Sequence, residues 1–158
     1  MPTKDRRPVL LGMNNPVSSD PAHALYPHPP GCAGHRLWGM LNEAMPSGEQ
    51  VSRSQYLRAF DRRNLVAGKT WSQAEARAGA GELTRELRGR VVVVLGQQPR
   101  QALGLPLHLI HPIVHEGVTW RQVPHPSGRN HYYNDATNRR VVGELLAELY
   151  RMSTGEQS

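Results

Sequence analysis

The apolar positions of this chain fall into short unbroken runs separated by stripes at helical spacing. Pro8-Val9-Leu10-Leu11-Gly12-Met13 is a brief apolar run that stops at an Asn-Asn-Pro turn. Val91-Val92-Val93-Val94-Leu95-Gly96 is the clearest strand: four valines in a row with no polar alternation imply burial on both faces. Leu65-Val66 and Trp120-Arg121-Gln122-Val123-Pro124 are weaker strand candidates. Helical spacing marks four further segments. His35 to Ala44 carries Leu37, Trp38 and Leu41, and Ser54 to Arg62 carries Tyr56, Leu57 and Phe60. Ser72 to Leu87 is rich in Ala, Glu and Arg, with Ser72 placed as an N-cap and Gly89 as a stop. Thr137 to Met152 presents Val141, Val142, Leu145, Leu146, Leu149 and Tyr150 as one apolar stripe.

Strands alternating with helices predict a single α/β domain over 1–158: a three-layer α/β/α sandwich around a short, mainly parallel, four-stranded sheet. Residues 153–158 are expected to form a frayed tail. Ligands in such sheets bind at the carboxyl ends of the strands. The segments of interest therefore follow Met13, Val66, Leu95 and Val123. The Pro/Gly/His-rich stretch from Pro21 to Gly34 is too irregular for an element and long enough to carry function.

Composition narrows the field. At 158 residues the chain has the length of one domain. Nineteen Lys and Arg against thirteen Asp and Glu give a net charge of +6, which favours a polyanionic partner. A single cysteine, Cys32, excludes an internal disulfide framework. No apolar run reaches membrane-spanning length and no signal-peptide core follows the basic start, so an intracellular protein with no membrane association is expected.

Two polar turns stand out: Gly12-Met13-Asn14-Asn15-Pro16-Val17-Ser18-Ser19 after the first strand, and His125-Pro126-Ser127-Gly128-Arg129-Asn130 after the last. Between them lie Tyr26-Pro27-His28-Pro29, Arg36-Leu37-Trp38 and Asn64-Leu65-Val66. In order and spacing this set resembles the uracil-DNA glycosylase superfamily, nearest its mismatch-specific uracil/thymine-DNA glycosylase branch. That branch has a Gly-x-Asn-Pro turn, an aromatic-x-His-Pro loop, a Phe-Trp helix and a His- or Asn-Pro-Ser-Gly motif. The resemblance runs from about Pro8 to Tyr150. It departs in the first turn, where two residues rather than one separate Gly12 from Asn15-Pro16, and in a longer loop from Pro29 to His35.

The resemblance implies hydrolysis of the bond between a deoxyribose and a uracil-type or modified pyrimidine extruded from DNA, leaving an abasic site. Asn14 or Asn15 would hold the attacking water; an amide cannot take up a proton, so turnover slower than with an aspartate is expected. His125 would hydrogen-bond the base O2 as negative charge grows there. Tyr26 would stack on the base and Asn64 read its edge, with Gly12 and Met13 forming part of the pocket. Ser127, Ser18 and Gly128 would hold phosphates. Arg129 and Asn130 would belong to the loop that fills the space the base vacates, or Arg129 would instead pair with the orphaned base or a phosphate. No metal or organic cofactor is implied, no obligate protein partner is expected, and the chain should act on DNA as a monomer. With no lysine in either turn, no Schiff base is expected.

Two rival readings share these residues. One is a relative that binds DNA or a flipped base with little or no cleavage; the other is a hydrolase of free nucleosides or nucleotides. His108, His111 and His115 have spacings that a zinc site could use, but Pro112 breaks any helix presenting them, and solvated loop histidines are the expected reading.

Overall fold

The computed structural model describes residues 5–106, 110–127 and 129–155. Five strands, β1 (Val9–Gly12), β2 (Asp61–Asn64), β3 (Val91–Leu95), β4 (Ile113–His115) and β5 (Val118–Val123), form one sheet in the order β2-β1-β3-β5-β4. The first four in that order are mutually parallel, and β4 closes the edge antiparallel to β5. Five α-helices accompany them: α1 (Ala33–Ala44), α2 (Arg53–Ala59), α3 (Gln73–Glu86), α4 (Gln97–Leu103) and α5 (Ala136–Thr154).

Strand residues alternate between two cores, as the two-residue period of a strand requires. Leu10, Val93, Leu95 and Val123 face α1, α2 and α5, where they meet Leu37, Leu41, Tyr56, Leu145 and Leu146. Val9, Leu11, Val92, Val94 and Trp120 face the layer holding Ala80 of α3 and Leu103 of α4. The valine run is thus covered on both sides, and each fully buried Val or Leu contributes roughly 1.5–3 kcal/mol. On the larger face α5 crosses α1 closely: a Cβ on Gly143 would stand 2.5 Å from the Met40 carbonyl oxygen.

The expected layered α/β class is present, with corrections in its details. The sheet has five strands, not four. The missed one, β4, is joined to β5 through Glu116 (φ 50°) and Gly117 (φ 80°), a two-residue hairpin turn of the kind that needs positive φ at both positions. The strand expected at Leu65-Val66 ends just before it, at Asn64; Asp61 and Arg62, expected at the end of a helix, begin that strand instead. Leu65 and Val66 still run beside β1, donating their backbone N–H groups to the Gly12 and Met13 carbonyls. Helix α4 was also unforeseen: Gly96 at φ 100° starts it, and Pro99 lies in its first turn, where a missing N–H costs little. Of the three spaced histidines, His111 is exposed and His115 lies on β4 rather than in a loop, while His108 lies outside the described residues. Thr154 closes α5, with Gly155 as its left-handed cap, so the tail starts later than 153; residues 156–158 lie outside the described residues.

Candidate active site

The four parallel strands all end on the same edge of the sheet, at Gly12, Asn64, Leu95 and Val123. A cavity of about 730 Å³ opens there, which is the size of a small-molecule pocket. Its wall brings together Met13, Asn14, Asn15 and Ser18 from the first turn, Tyr26 from the middle loop, Asn64 from the end of β2, and His125 and Ser127 from the last turn. The two distant polar turns thus meet around one space. Gly12 lies just behind it, and any Cβ there would be 2.8 Å from Asn64 Oδ1, so the glycine leaves room for that amide.

The two asparagines of the first turn are used differently. Both ends of the Asn15 amide serve its own loop. Its Oδ1 accepts from the N–H groups of Val17 (2.9 Å) and Ser18 (3.2 Å), and its Nδ2 donates to the His23 carbonyl (3.2 Å). Asn14 is tied at one end only, where Nδ2 donates to the Lys69 carbonyl at 2.6 Å. A carbonyl partner requires the N–H side of the amide, so Oδ1 is the atom left over, and it has no hydrogen-bond partner among the described residues. The Asn64 amide and the Ser127 hydroxyl likewise have none there.

His125 stands on a braced backbone with a free ring. Its carbonyl accepts from Ser127 N–H (2.8 Å) and from Asn130 Nδ2 (3.1 Å), while Gly96, whose Cβ would lie 3.3 Å from His125 Cβ, lets the strand ends close up behind it. No hydrogen bond from the described residues fixes the ring tautomer. Burial pushes its pKa below the ordinary 6.5, which keeps the imidazole neutral near pH 7.

The middle loop is held by buried anchors. Tyr56 Oη donates to the Leu25 carbonyl (2.9 Å), and burial pushes this phenol up, so it remains a donor. Arg62 Nη1 donates to the Ala22 (3.1 Å) and Ala24 (2.7 Å) carbonyls from β2. Helix α1 presses against the same loop through Gly34, where a Cβ would lie 2.2 Å from the Leu25 carbonyl oxygen. Cys32 caps α1: its thiol donates to the Tyr26 carbonyl (3.3 Å), and its Sγ accepts from His35 N–H (3.4 Å). These contacts fix the backbone that carries Tyr26.

Other expected residues fall elsewhere. Ser18 lines the cavity, but its hydroxyl is bound to His23 Nδ1 (2.8 Å) and accepts from Asp20 N–H (3.1 Å). Asn130 is turned inward: besides holding His125, its Oδ1 accepts from Tyr132 N–H (3.1 Å). Arg129 is exposed, and neither residue lines the cavity. Gly128 lies outside the described residues. The wall also includes Val17 and His28, which lie in the quoted motifs without an expected role, and His23, Leu25 and Cys32, which lie outside them. The available signal was the long irregular stretch from Pro21 to Gly34. Among the described lining residues there is no carboxylate, and among the described residues no group of three His, Cys, Asp or Glu side chains could hold a metal ion. No helix among them is long and apolar enough to cross a membrane.

No protein-family model matches the chain, and no curated protein matches it.

Proposed function

We propose that this protein is a monofunctional DNA glycosylase acting on a uracil-type or modified pyrimidine extruded from DNA. The observation that carries the reading is the convergence of the Asn14 and His125 turns on one cavity, with room for a pyrimidine, at the carboxyl edge of a parallel sheet. The geometry supports the following division of labour. The extruded pyrimidine enters the cavity and stacks on Tyr26, a contact worth roughly 1–3 kcal/mol per base. The free Asn64 amide can donate and accept at once, which suits an O4 and N3–H edge. As the bond from the sugar C1′ to the base nitrogen lengthens, its electron pair moves onto the base. The neutral His125 ring donates an N–H to O2, where that charge collects. Asn14 Oδ1 accepts a hydrogen bond from a water whose lone pair faces C1′. The water adds to C1′ and its proton leaves to solvent. Asn15 serves as the brace of that turn, and Ser127 offers its free hydroxyl to a phosphate. The +6 charge supports a DNA partner.

A cavity wall with no carboxylate among the described residues favours one rival, a protein that binds an extruded base and releases it slowly or not at all. The two readings separate when oligonucleotides each carrying one modified pyrimidine are incubated with the protein and abasic sites are then cleaved with alkali. Strand scission at one modified base supports the glycosylase. Retention of that oligonucleotide without scission supports the binder. A hydrolase of free nucleosides would show neither. Its substrate binding would also lack the steep salt dependence of DNA, about 0.9 log units per phosphate contact for each tenfold rise in salt.

A further inference from the structure

A second cleft, of about 290 Å³, lies on the other side of the His125 turn and meets the base cavity at Gly31. Pro126 forms one wall of it, while its neighbours His125 and Ser127 line the first cavity. The opposite wall is one face of α1, where His35, Arg36, Gly39 and Glu43 follow at helical spacing, and Arg139 of α5 completes it. The two helices approach closely at Gly143 and Met40, one turn farther along α5 from Arg139.

Its donors are placed and only partly used. Arg36 Nε donates to the Gly31 carbonyl (3.2 Å), leaving Nη1 and Nη2 without partners among the described residues. Arg139 Nη1 donates to the Tyr133 carbonyl (2.6 Å), and its Nε lies 3.9 Å from Glu43 Oε2, leaving Nη2 open. His35 Nδ1 accepts from Gly31 N–H (3.2 Å), so the ring carries its proton on Nε2. Two guanidinium groups against one carboxylate leave the cleft with a net positive charge. Gly39 is part of its wall, and a Cβ there would meet nothing within 4 Å. A glycine inside a helix costs roughly 0.5–1 kcal/mol relative to alanine, and no close packing in this structure requires one at this position.

We infer that this cleft is a phosphodiester subsite, which takes a backbone phosphate of the same DNA strand beside the extruded nucleotide. Arg36 and Arg139 anchor it from the side of the His125 turn away from the base. The inference rests on the glycosylase reading of the first cavity. It adds a second grip on the strand, so that the His125 turn lies between the base and the neighbouring phosphate. Bidentate guanidinium contacts suit this ligand, and the open Nη atoms are the ones that would make them.

The test is binding of the full-length protein to a duplex carrying a tetrahydrofuran abasic-site analogue, which cannot be cleaved, measured across a range of salt. Gly39→Glu puts a carboxylate into the cleft at a helical position with open space, so the fold should be retained or slightly stabilised. It should weaken binding about tenfold or more and lower the salt slope by about one unit. Arg36→Gln should do the same. Gly79→Glu makes the identical charge change on α3, where a Cβ also meets nothing within 4 Å, and should leave binding within about twofold. Gly39→Glu and Arg36→Gln variants that bind the duplex as the wild type does overturn the subsite and leave the base cavity standing. A wild-type protein that does not bind the duplex at all overturns both.

Discussion

The two ends of the sheet use polar groups in opposite ways. At the amino edge, Asp5, Arg7, Asp61, Arg63 and Arg90 form a largely closed network, with the buried Arg90 Nε left without a partner among the described residues. Arg90, almost fully buried, reaches Asp61 (2.9 Å), Asp5 (3.4 Å) and the Arg7 carbonyl (2.8 Å), while Arg63 pairs with Asp61 (3.0 Å) and Glu86 (3.4 Å). Both aspartates titrate low. The Arg7 hydrogen bond brings Asp5 down to about 2; burial pushes Asp61 up, but hydrogen bonds from Arg63 and Arg90 outweigh it. At the carboxyl edge, Asn14 Oδ1, the Asn64 amide, the Ser127 hydroxyl and the His125 ring face an open cavity without partners among the described residues. A polar group that folding left unpaired beside a cavity is free to meet a ligand; one whose charge is paired within the fold holds the structure together.

Substitutions at either edge separate the two roles. The largest expected effect is at the closed edge. Arg90→Ala leaves Asp61 half-buried with one partner fewer and should cost about 3 kcal/mol of stability, read as a lower denaturant midpoint, with the activity of the remaining folded protein unchanged. At the open edge, His125→Ala should slow base release about a hundredfold while the midpoint hardly moves. Gly34→Ala attacks the support of the site: its Cβ meets the backbone of Leu25 and Tyr26, which cannot step aside, so a loss of about 2 kcal/mol is expected. Asn14→Ala and Asn15→Ala sharpen the contrast within a single turn. The first should reduce the single-turnover rate about tenfold at unchanged stability; the second should lower stability by about 1 kcal/mol because it removes the acceptor for two N–H groups.

The smallest effects are those of pH, and their signs differ between the two edges. Asp5 and Asp61 titrate lower folded than unfolded, so they stabilise above pH 3.8, and that contribution is lost as pH falls below 3.8 through their folded values, for Asp5 down to about 2. His125 also titrates lower folded than unfolded, but as a base. Below 6.5 the unfolded chain takes up a proton that the folded protein refuses, so stability drops as pH falls from 6.5 toward the folded value and is unaffected above it. The rate of base release should hold through 6.5 and decline only at lower pH.

The sequence made some of this legible and concealed the rest for physical reasons. The valine run could only be a strand covered on both faces, and the α5 stripe could only be a helix against a core. Strand β2 was hidden because Asp61-Arg62-Arg63-Asn64 has no apolar residue. Its burial depends on distant partners, Arg90 for Asp61 and the Ala22 and Ala24 carbonyls for Arg62, which no local pattern reveals. Strand β4 is three residues long, and only its Glu-Gly turn could have announced it. In the site, the two polar turns were visible as motifs. Which asparagine was free was not: both Nδ2 atoms hold a carbonyl, and the difference is that the Val17 and Ser18 N–H groups occupy Asn15 Oδ1 and leave Asn14 Oδ1 open.

The decisive measurement is single-turnover incubation of the wild type and His125→Ala proteins, each in excess, with duplexes carrying one uracil-type or modified pyrimidine, scoring free base and alkali-labile sites together. The wild type should release one such base and leave an equal yield of abasic sites, and His125→Ala should do so about a hundredfold more slowly. Intact strands with every pyrimidine in the set, or equal rates for the two proteins, would contradict the glycosylase reading.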